Sequence, residues 1–236
     1  MSGHSKWATT KRAKAITDAK RGAIFTKLSN LITMAAKEKG GDLEANFVLR
    51  MAVEKARMAN VPKDNIEKAI KRGTGELGGG TIEEYYYEGI GPLNSQFVIK
   101  SLSDSKNRSA ATIRHTFSKH GGSLGSVMWN FERRGVIFIA DAKILADDLE
   151  MELIEAGVDD IVTNEGGIAI FTKIENLQKV KKFLDEKKIA TESAEIEYVA
   201  KEKLKLSEAE MEKIEGFIDE LDNNEDVADY YSNLDI

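Results

Sequence analysis

The sequence predicts an α+β protein of three domains: an N-terminal three-helix domain and two α/β domains, one ferredoxin-like (βαββαβ) and inserted into the other. Three observations predict it. Apolar residues recur at helical spacing as far as Ile70 and then give way to short runs of β-branched and aromatic residues. Between the two patterns, Gly73 to Gly80 holds five glycines in eight residues, which reads as a linker without a single backbone conformation. From Gly135 onward, strand and helix patterns alternate in the ferredoxin-like order. The boundaries that follow are residues 1–78 for the helical domain with a basic arm, 79–133 plus 201–236 for the discontinuous α/β domain, and 134–200 for the inserted one.

The helical elements come first. Thr17-Asp18 can cap a helix whose apolar positions are Ile24, Phe25, Leu28, Leu31, Ile32 and Ala35, stopping at Gly40-Gly41. A second helix begins near Asn46, carries Phe47, Val48, Met51, Ala52 and Ala56, and ends before Val61-Pro62. The third takes Pro62 in its first turn, buries Ile66, Ala69 and Ile70, and meets Gly73 where a C-terminal glycine belongs. Three such helices can cover one another's apolar faces.

Beyond the linker, Tyr85–Glu88 and Gln96–Lys100 read as strands joined through the turn-rich segment Gly89–Asn94. A helix capped near Ser105 or Asn107 and closed by Gly121-Gly122 follows, and Val127–Phe131 reads as a third strand. The inserted domain then runs strand Val136–Ala140, helix 145–156, strand Val158–Asn164, a turn at Glu165-Gly166-Gly167, strand Ile168–Thr172, helix 174–187 and strand Ala194–Tyr198. The segment from 81 to 133 has the order ββαβ and lacks a helix. A last helix over Ser207–Leu221, apolar at Met211, Ile214, Phe217, Ile218 and Leu221, can supply it, with Val227–Tyr231 as a further strand.

The 236 residues are 42% hydrophobic with a mean hydropathy of -0.36, enough apolar material for a buried core. There is no cysteine, so disulfides, Cys-ligated zinc and thiol catalysis are excluded. The N-terminus is charged where a secretory leader needs an apolar run, and no segment is apolar over the roughly 18 residues a membrane span requires, so a cytoplasmic location is expected. The net charge of -6 hides a dipole. Residues 1 to 75 hold 16 Lys/Arg against 7 Asp/Glu, leaving 18 against 33 for the remainder; from 208 onward 11 acids face Lys213 alone. A basic head and an acidic tail would orient the chain on a polyanion.

The basic concentration is densest from Met1 to Phe25, where Lys6, Lys11, Arg12, Lys14, Lys20 and Arg21 face only Asp18. Cations on a segment without its own core call for an anionic partner, most often a nucleic-acid backbone. Trp7 sits among them outside any apolar period, suited either to stacking on a base or to anchoring the arm on the helices. Lys68, Lys71 and Arg72 lie on one face of the third helix near its C-terminus, where they can also serve the macrodipole. A secondary basic patch is Lys106, Asn107, Arg108, Arg114 and Lys119, explained either by capping and surface charge or, with Gly121-Gly122 and Gly125, by a phosphate held at a helix start.

Enzyme chemistry finds no support in the residue pattern. His4, His115 and His120 lack metal-ligand spacing, and the glycine linker does not match a nucleotide-binding loop. Asp147-Asp148 and Asp159-Asp160 read as cap and surface residues rather than a magnesium site. No catalytic residue, metal or cofactor is called for.

The motifs Gly3-His4-Ser5-Lys6-Trp7, Asp18-Ala19-Lys20-Arg21-Gly22 with Phe25-Thr26-Lys27-Leu28, Pro62-Lys63-Asp64-Asn65-Ile66 with Ile70-Lys71-Arg72-Gly73-Thr74-Gly75, Tyr87-Glu88-Gly89, Asn107-Arg108 and Phe117–Gly122 resemble the YebC family. Its mitochondrial relatives include the translational activator of cytochrome oxidase subunit one. The resemblance runs from the first residues to Tyr231 and implies the same three domains and insertion. It also implies a probable transcriptional regulator that binds DNA, or a translation factor acting at the ribosome. One departure is a loop about three residues shorter than usual between Gly125 and Ser126.

The expected function is therefore a cytoplasmic, non-enzymatic regulator of gene expression. It would hold DNA, or ribosomal or transfer RNA, through Lys6, Trp7, Lys11, Arg12, Lys14, Lys20, Arg21, Lys27, Lys71 and Arg72, with the ribosome as a possible platform and no membrane partner. No groove-reading signature such as a helix-turn-helix stands out. The alternative is an adaptor whose acidic α/β domains dock on a basic protein.

Overall fold

The computed structural model describes residues 18–78, 81–141, 147–164 and 166–235, with the side chains of 18–21, 147–148 and 164 outside that description. The described residues form two compact units. One holds residues up to 128 together with 204–232; the other holds 129–203 and 233–235.

In the first unit, helices α1 (Asp18–Lys39), α2 (Phe47–Met58) and α3 (Lys63–Gly73) enclose a core of Leu28, Ile32, Ala35, Ala36, Leu49, Val53, Ala56, Val61, Ile66 and Ala69. The turn between α1 and α2 is set by one buried residue. Asn46 accepts a hydrogen bond from the Leu49 N–H at 3.1 Å, capping α2, while its amide donates to the carbonyls of Ala35 and Gly40, both at 2.8 Å. A single side chain thus joins the end of one helix to the start of the next.

The same unit continues into an antiparallel sheet of β1 (Glu83–Ile90), β2 (Gln96–Ser103), β3 (Ser123–Leu124) and β9 (Val227–Ser232) in the order β3-β1-β2-β9. Helices α4 (Lys106–Lys119) and α7 (Glu208–Asn223) meet over it through Phe97, Phe117 and Phe217, whose rings contact edge to face with centroids 4.9 to 6.4 Å apart. Ile99 pairs with Tyr87 on one side and Tyr230 on the other, so β9 completes a sheet begun some 140 residues earlier in sequence.

The second unit runs β4 (Phe131–Ile139), α5 (Asp147–Ala156), β5 (Val158–Asn164), β6 (Gly167–Thr172), α6 (Leu177–Glu186) and β7 (Ser193–Ala200). Its antiparallel strand order β5-β6-β4-β7 is the ferredoxin-like arrangement. Ile137, Ile139, Leu153, Ile170, Leu177, Val180 and Leu184 are buried in it. Short strands β8 (Leu204–Lys205) and β10 (Leu234–Asp235) complete the chain. No helix among the described residues is long and apolar enough to cross a membrane.

The α+β class, the three domains and the insertion are those the sequence predicts. Two local expectations are corrected. Val127–Phe131 is not a strand throughout: Met128–Asn130 forms a 3-10 turn and β4 starts at Phe131. The Glu88 carboxylate accepts the N–H groups of Val127 and Met128, both at 2.7 Å, which removes them from any sheet ladder. Nor is the start of the linker without fixed conformation. Glu76 and Leu77 donate their N–H groups back to the Lys71 carbonyl at 2.9 and 3.2 Å, folding residues 74–77 against the end of α3.

Candidate nucleic-acid interface

Helix α3 carries the described part of the predicted surface. Ile66 and Ala69 are buried, whereas Lys68 and Lys71 are exposed, and among the described residues no carboxylate pairs with either lysine. The orientation of the helix is fixed at two points. The Thr33 hydroxyl of α1 donates to the Ala69 carbonyl at 3.1 Å, and Gly73 lies so near α1 that a Cβ there would stand 2.3 Å from the Thr33 carbonyl oxygen. The last carbonyls of α3 are also occupied: those of Ile70, Lys71 and Arg72 accept from the backbone of residues 74–77. The helix end is capped by backbone, so the lysines are not needed as caps and their charge faces solvent.

The rest of the predicted primary set divides. Lys6, Trp7, Lys11, Arg12 and Lys14 lie outside the described residues. Lys20 and Arg21 fall on the first turn of α1, with side chains outside the description. Arg72 is half-buried and has a partner within the protein.

Lys27 points inward. Its Nζ donates to the carbonyls of Leu221 at 3.3 Å and Asp222 at 2.7 Å, at the C-terminus of α7. Burial pushes the Lys27 ammonium below its usual range, opposed by the charges of Asp222 and Asp229; burial likewise pushes the Asp222 carboxyl up, against the pull of Lys27. A cation so placed is engaged in packing α1 against α7 and is not presented to a phosphate. The sequence carried the signal: Lys27 lies three residues after Ile24 and four before Leu31, within the apolar stripe.

The secondary patch is corrected too. Arg108 forks onto Asp226, with Nε to Oδ2 at 3.1 Å and Nη2 to Oδ1 at 2.8 Å, and Nη2 also reaches Ser103 and Asp104, each at 3.0 Å. The hydrogen bonds to Asp226 raise its pKa further. Lys119 donates to Glu220 at 2.7 Å, and His120 Nε2 lies 3.0 Å from the same oxygen. Burial disfavours the charged form of Glu220, but hydrogen bonds from Lys119, His120 and Thr116 outweigh it and hold the carboxyl below its usual value. Lys106 sits over the Tyr85 ring, 5.7 Å from its centroid, while Asn107 and Arg114 are exposed. Two cations of the patch, Arg108 and Lys119, are thus matched by acids of α7 and the segment after it, which lie over 100 residues away in sequence and were invisible to local reading.

The glycines beside it do not form a phosphate cradle. Gly121 and Gly122 donate their N–H groups to Ser118 and Phe117, closing α4, and a Cβ on Gly122 would stand 2.4 Å from the Ile90 carbonyl oxygen. Among the described residues no group of three or more His, Cys, Asp or Glu is arranged to hold a metal ion.

Comparison with known proteins bears on what this surface serves. Residues 5–76 match the TACO1/YebC protein N-terminal domain, and residues 82–234 match the TACO1/YebC second and third domain. The chain belongs to the TACO1/YebC family. A probable transcriptional regulatory protein of Caldanaerobacter subterraneus is 45% identical over 240 residues, covering 100% of this chain and 99% of that one. One of the same description from Thermotoga petrophila is 47% identical over 240 residues, covering 100% and 94%. The crystal structure of a conserved hypothetical protein from Aquifex aeolicus superposes with a TM-score of 0.85 at 36% identity over 98% of this chain and 97% of that one. In TACO1/YebC terms, α3 with its exposed lysines belongs to the N-terminal domain, and the Arg108 and Glu220 contacts belong to the second and third.

Proposed function

We propose that this TACO1/YebC protein is a non-enzymatic, nucleic-acid-binding regulator of gene expression acting in the cytoplasm. Its contact surface is the helical head: Lys6, Trp7, Lys11, Arg12, Lys14, Lys20 and Arg21 leading into α1, and Lys71 and Arg72 with Lys68 on α3. The observation that supports it is the outward-facing lysine edge of α3, without a carboxylate partner among the described residues and held in place by the close passage of Gly73, in a chain where Arg108 and Lys119 of the other basic patch are already matched by carboxylates. The relatives' description as probable transcriptional regulatory proteins points the same way and favours duplex DNA.

The test is fluorescence anisotropy with a labelled DNA duplex and a labelled RNA hairpin of equal length, titrated across salt. With about six phosphates contacted, log affinity falls against log salt with a slope of roughly -4 to -5.5. Substituting Lys68 and Lys71 together by alanine makes that slope shallower by about 1.5 to 2. Binding independent of salt, or a double variant indistinguishable from the parent on both ligands, rejects the reading; stronger binding to the hairpin assigns the surface to RNA.

A further inference from the structure

The second unit carries an exposed surface that the nucleic-acid reading does not use. Helix α5 buries Leu153 and Ala156, yet Met151 and Ile154 are 62% and 58% exposed, unusually open for large apolar side chains one turn apart. On a 100° wheel these two lie at the centre of the outward face, with Glu150 on one flank and Glu155 on the other, both exposed. From Asp147 to Asp160 there are seven carboxylates and no Lys or Arg, and the neighbouring cation on α6's end, Lys187, is paired with Glu152.

We propose that this face of α5 docks a cationic amphipathic helix of a partner protein, its apolar stripe seated on Met151 and Ile154 and its lysines or arginines on Glu150 and Glu155. Charge decides among occupants. A second copy packed face to face would set Glu150 and Glu155 against the same residues, and a nucleic acid or anionic membrane meets like charge. The chain's own leader is cationic, but its large apolar side chains, Met1, Trp7 and Ile16, stand six and nine residues apart, too sparse to seat on two neighbours one turn apart. The proposal stands on α5 alone and survives or fails independently of the head's ligand.

The test uses the full chain with 13C-methyl methionine and, as probe, a synthetic Lys/Leu peptide of about five helical turns with leucine at i, i+3, i+4 and i+7, beside a scrambled peptide of the same composition. The amphipathic peptide shifts the Met151 methyl resonance saturably. Met151→Ser with Ile154→Ser weakens that binding about tenfold at an unchanged melting temperature, as does Glu150→Lys with Glu155→Lys. Equal binding of the scrambled peptide, or unchanged affinity in both double variants, overturns the proposal. So does a dimer in sedimentation that Met151→Ser with Ile154→Ser dissociates, which gives the face to a second copy. A Met151 resonance displaced by substituting Lys6, Lys11, Arg12 and Lys14 with glutamine overturns it by giving the face to the leader.

Discussion

Lys27 on α1 caps the last turn of α7, its ammonium 2.7 Å from the carbonyl oxygen of Asp222. The contact binds a helix of the N-terminal domain to one that follows the insertion, 195 residues later, and it converts a residue of the basic head into an internal strut. Two further bonds run from α1 to the sheet and the residue leading into it: Asn30 donates to the Leu102 carbonyl of β2 at 3.4 Å and Lys37 to the carbonyl of Ile82, just before β1, at 3.1 Å. The helical head therefore sits on the sheet of its own unit through specific polar contacts, and its cations cannot be counted together as one surface.

Lys27→Met keeps the length of the side chain and removes the donor, leaving the Asp222 carbonyl at the end of α7 short of a partner while the Leu221 carbonyl keeps the Asn224 N–H. The expected loss is about 1 to 3 kcal/mol in denaturant unfolding, with the salt slope of nucleic-acid binding unchanged. A shallower slope at unaltered stability would return Lys27 to the phosphate-contacting set.

Gly73→Ala tests the clamp on α3. In an exposed helix interior the change gains up to about 1 kcal/mol from backbone entropy. Here the new Cβ meets the Thr33 carbonyl oxygen at 2.3 Å and the Ala36 Cβ at 2.7 Å, so α1 and α3 must separate. Overpacking of this kind costs about 1 to 3 kcal/mol. The midpoint of urea unfolding should fall, and nucleic-acid affinity should fall with it as Lys68 and Lys71 change direction. A raised midpoint would show that the two helices part without strain.

Much of the fold was legible because its signals are local. The apolar period of α1 to α3, the glycines at the linker and the six-element alternation after Gly135 each sit within one window of sequence. What escaped depends on residues far apart in the chain. Val127-Met128 has the composition of a strand, and only the Glu88 carboxylate, some 40 residues earlier, draws its N–H groups out of a ladder. Arg108 and Lys119 resemble free cations until α7 and the turn after it return with Glu220 and Asp226. Charge is legible as composition, whereas its pairing is a tertiary fact.

That pairing predicts how the secondary patch responds to substitution. Arg108→Ala leaves Asp226 and Asp104 without their shared guanidinium and should lower the melting temperature, and Arg108→Lys should recover only part of it because an ammonium cannot fork onto both Asp226 oxygens. Neither variant should alter the salt slope of nucleic-acid binding. A slope lowered by about one unit in Arg108→Ala at constant melting temperature would place the patch in the interface.

The start of α7 gives a pH dependence. The Ser207 N–H at 2.9 Å and its hydroxyl at 2.7 Å both donate to Glu210, and these bonds, the backbone one foremost, hold the Glu210 carboxyl below its ordinary 4.5. Because the folded-state value is depressed, the unfolded chain binds more protons in that window. The contribution is present in full above 4.5 and is lost as pH falls through the folded-state value. Thermal melts of the parent and of Glu210→Gln should differ at pH 7 and converge as the pH falls below the folded-state value. A difference that stays constant across that range would mean that the carboxylate charge at this cap contributes nothing.

Glu88 decides whether the segment between the two units' sheets is held by one side chain. Its Oε2 accepts from Val127 N and Met128 N at 2.7 Å each and from the Ser126 hydroxyl at 3.3 Å, so a single oxygen serves three donors just before the 3-10 turn that leads to β4. Glu88→Ala leaves two part-buried N–H groups unmatched, at about 1 to 3 kcal/mol for each that water fails to reach. Glu88→Gln keeps an oxygen of the same reach without the charge, so it should lose less, since hydrogen bonds to a charged acceptor are roughly twice as strong as neutral ones. Amide hydrogen exchange gives the sharper readout. Val127 and Met128 should lose protection in Glu88→Ala and retain part of it in Glu88→Gln, while Ile99 and Leu102 in β2 stay protected in both. If Val127 and Met128 exchange no faster in Glu88→Ala, then the turn is set by the chain on either side of it, and the same sequence would have been free to extend as a strand.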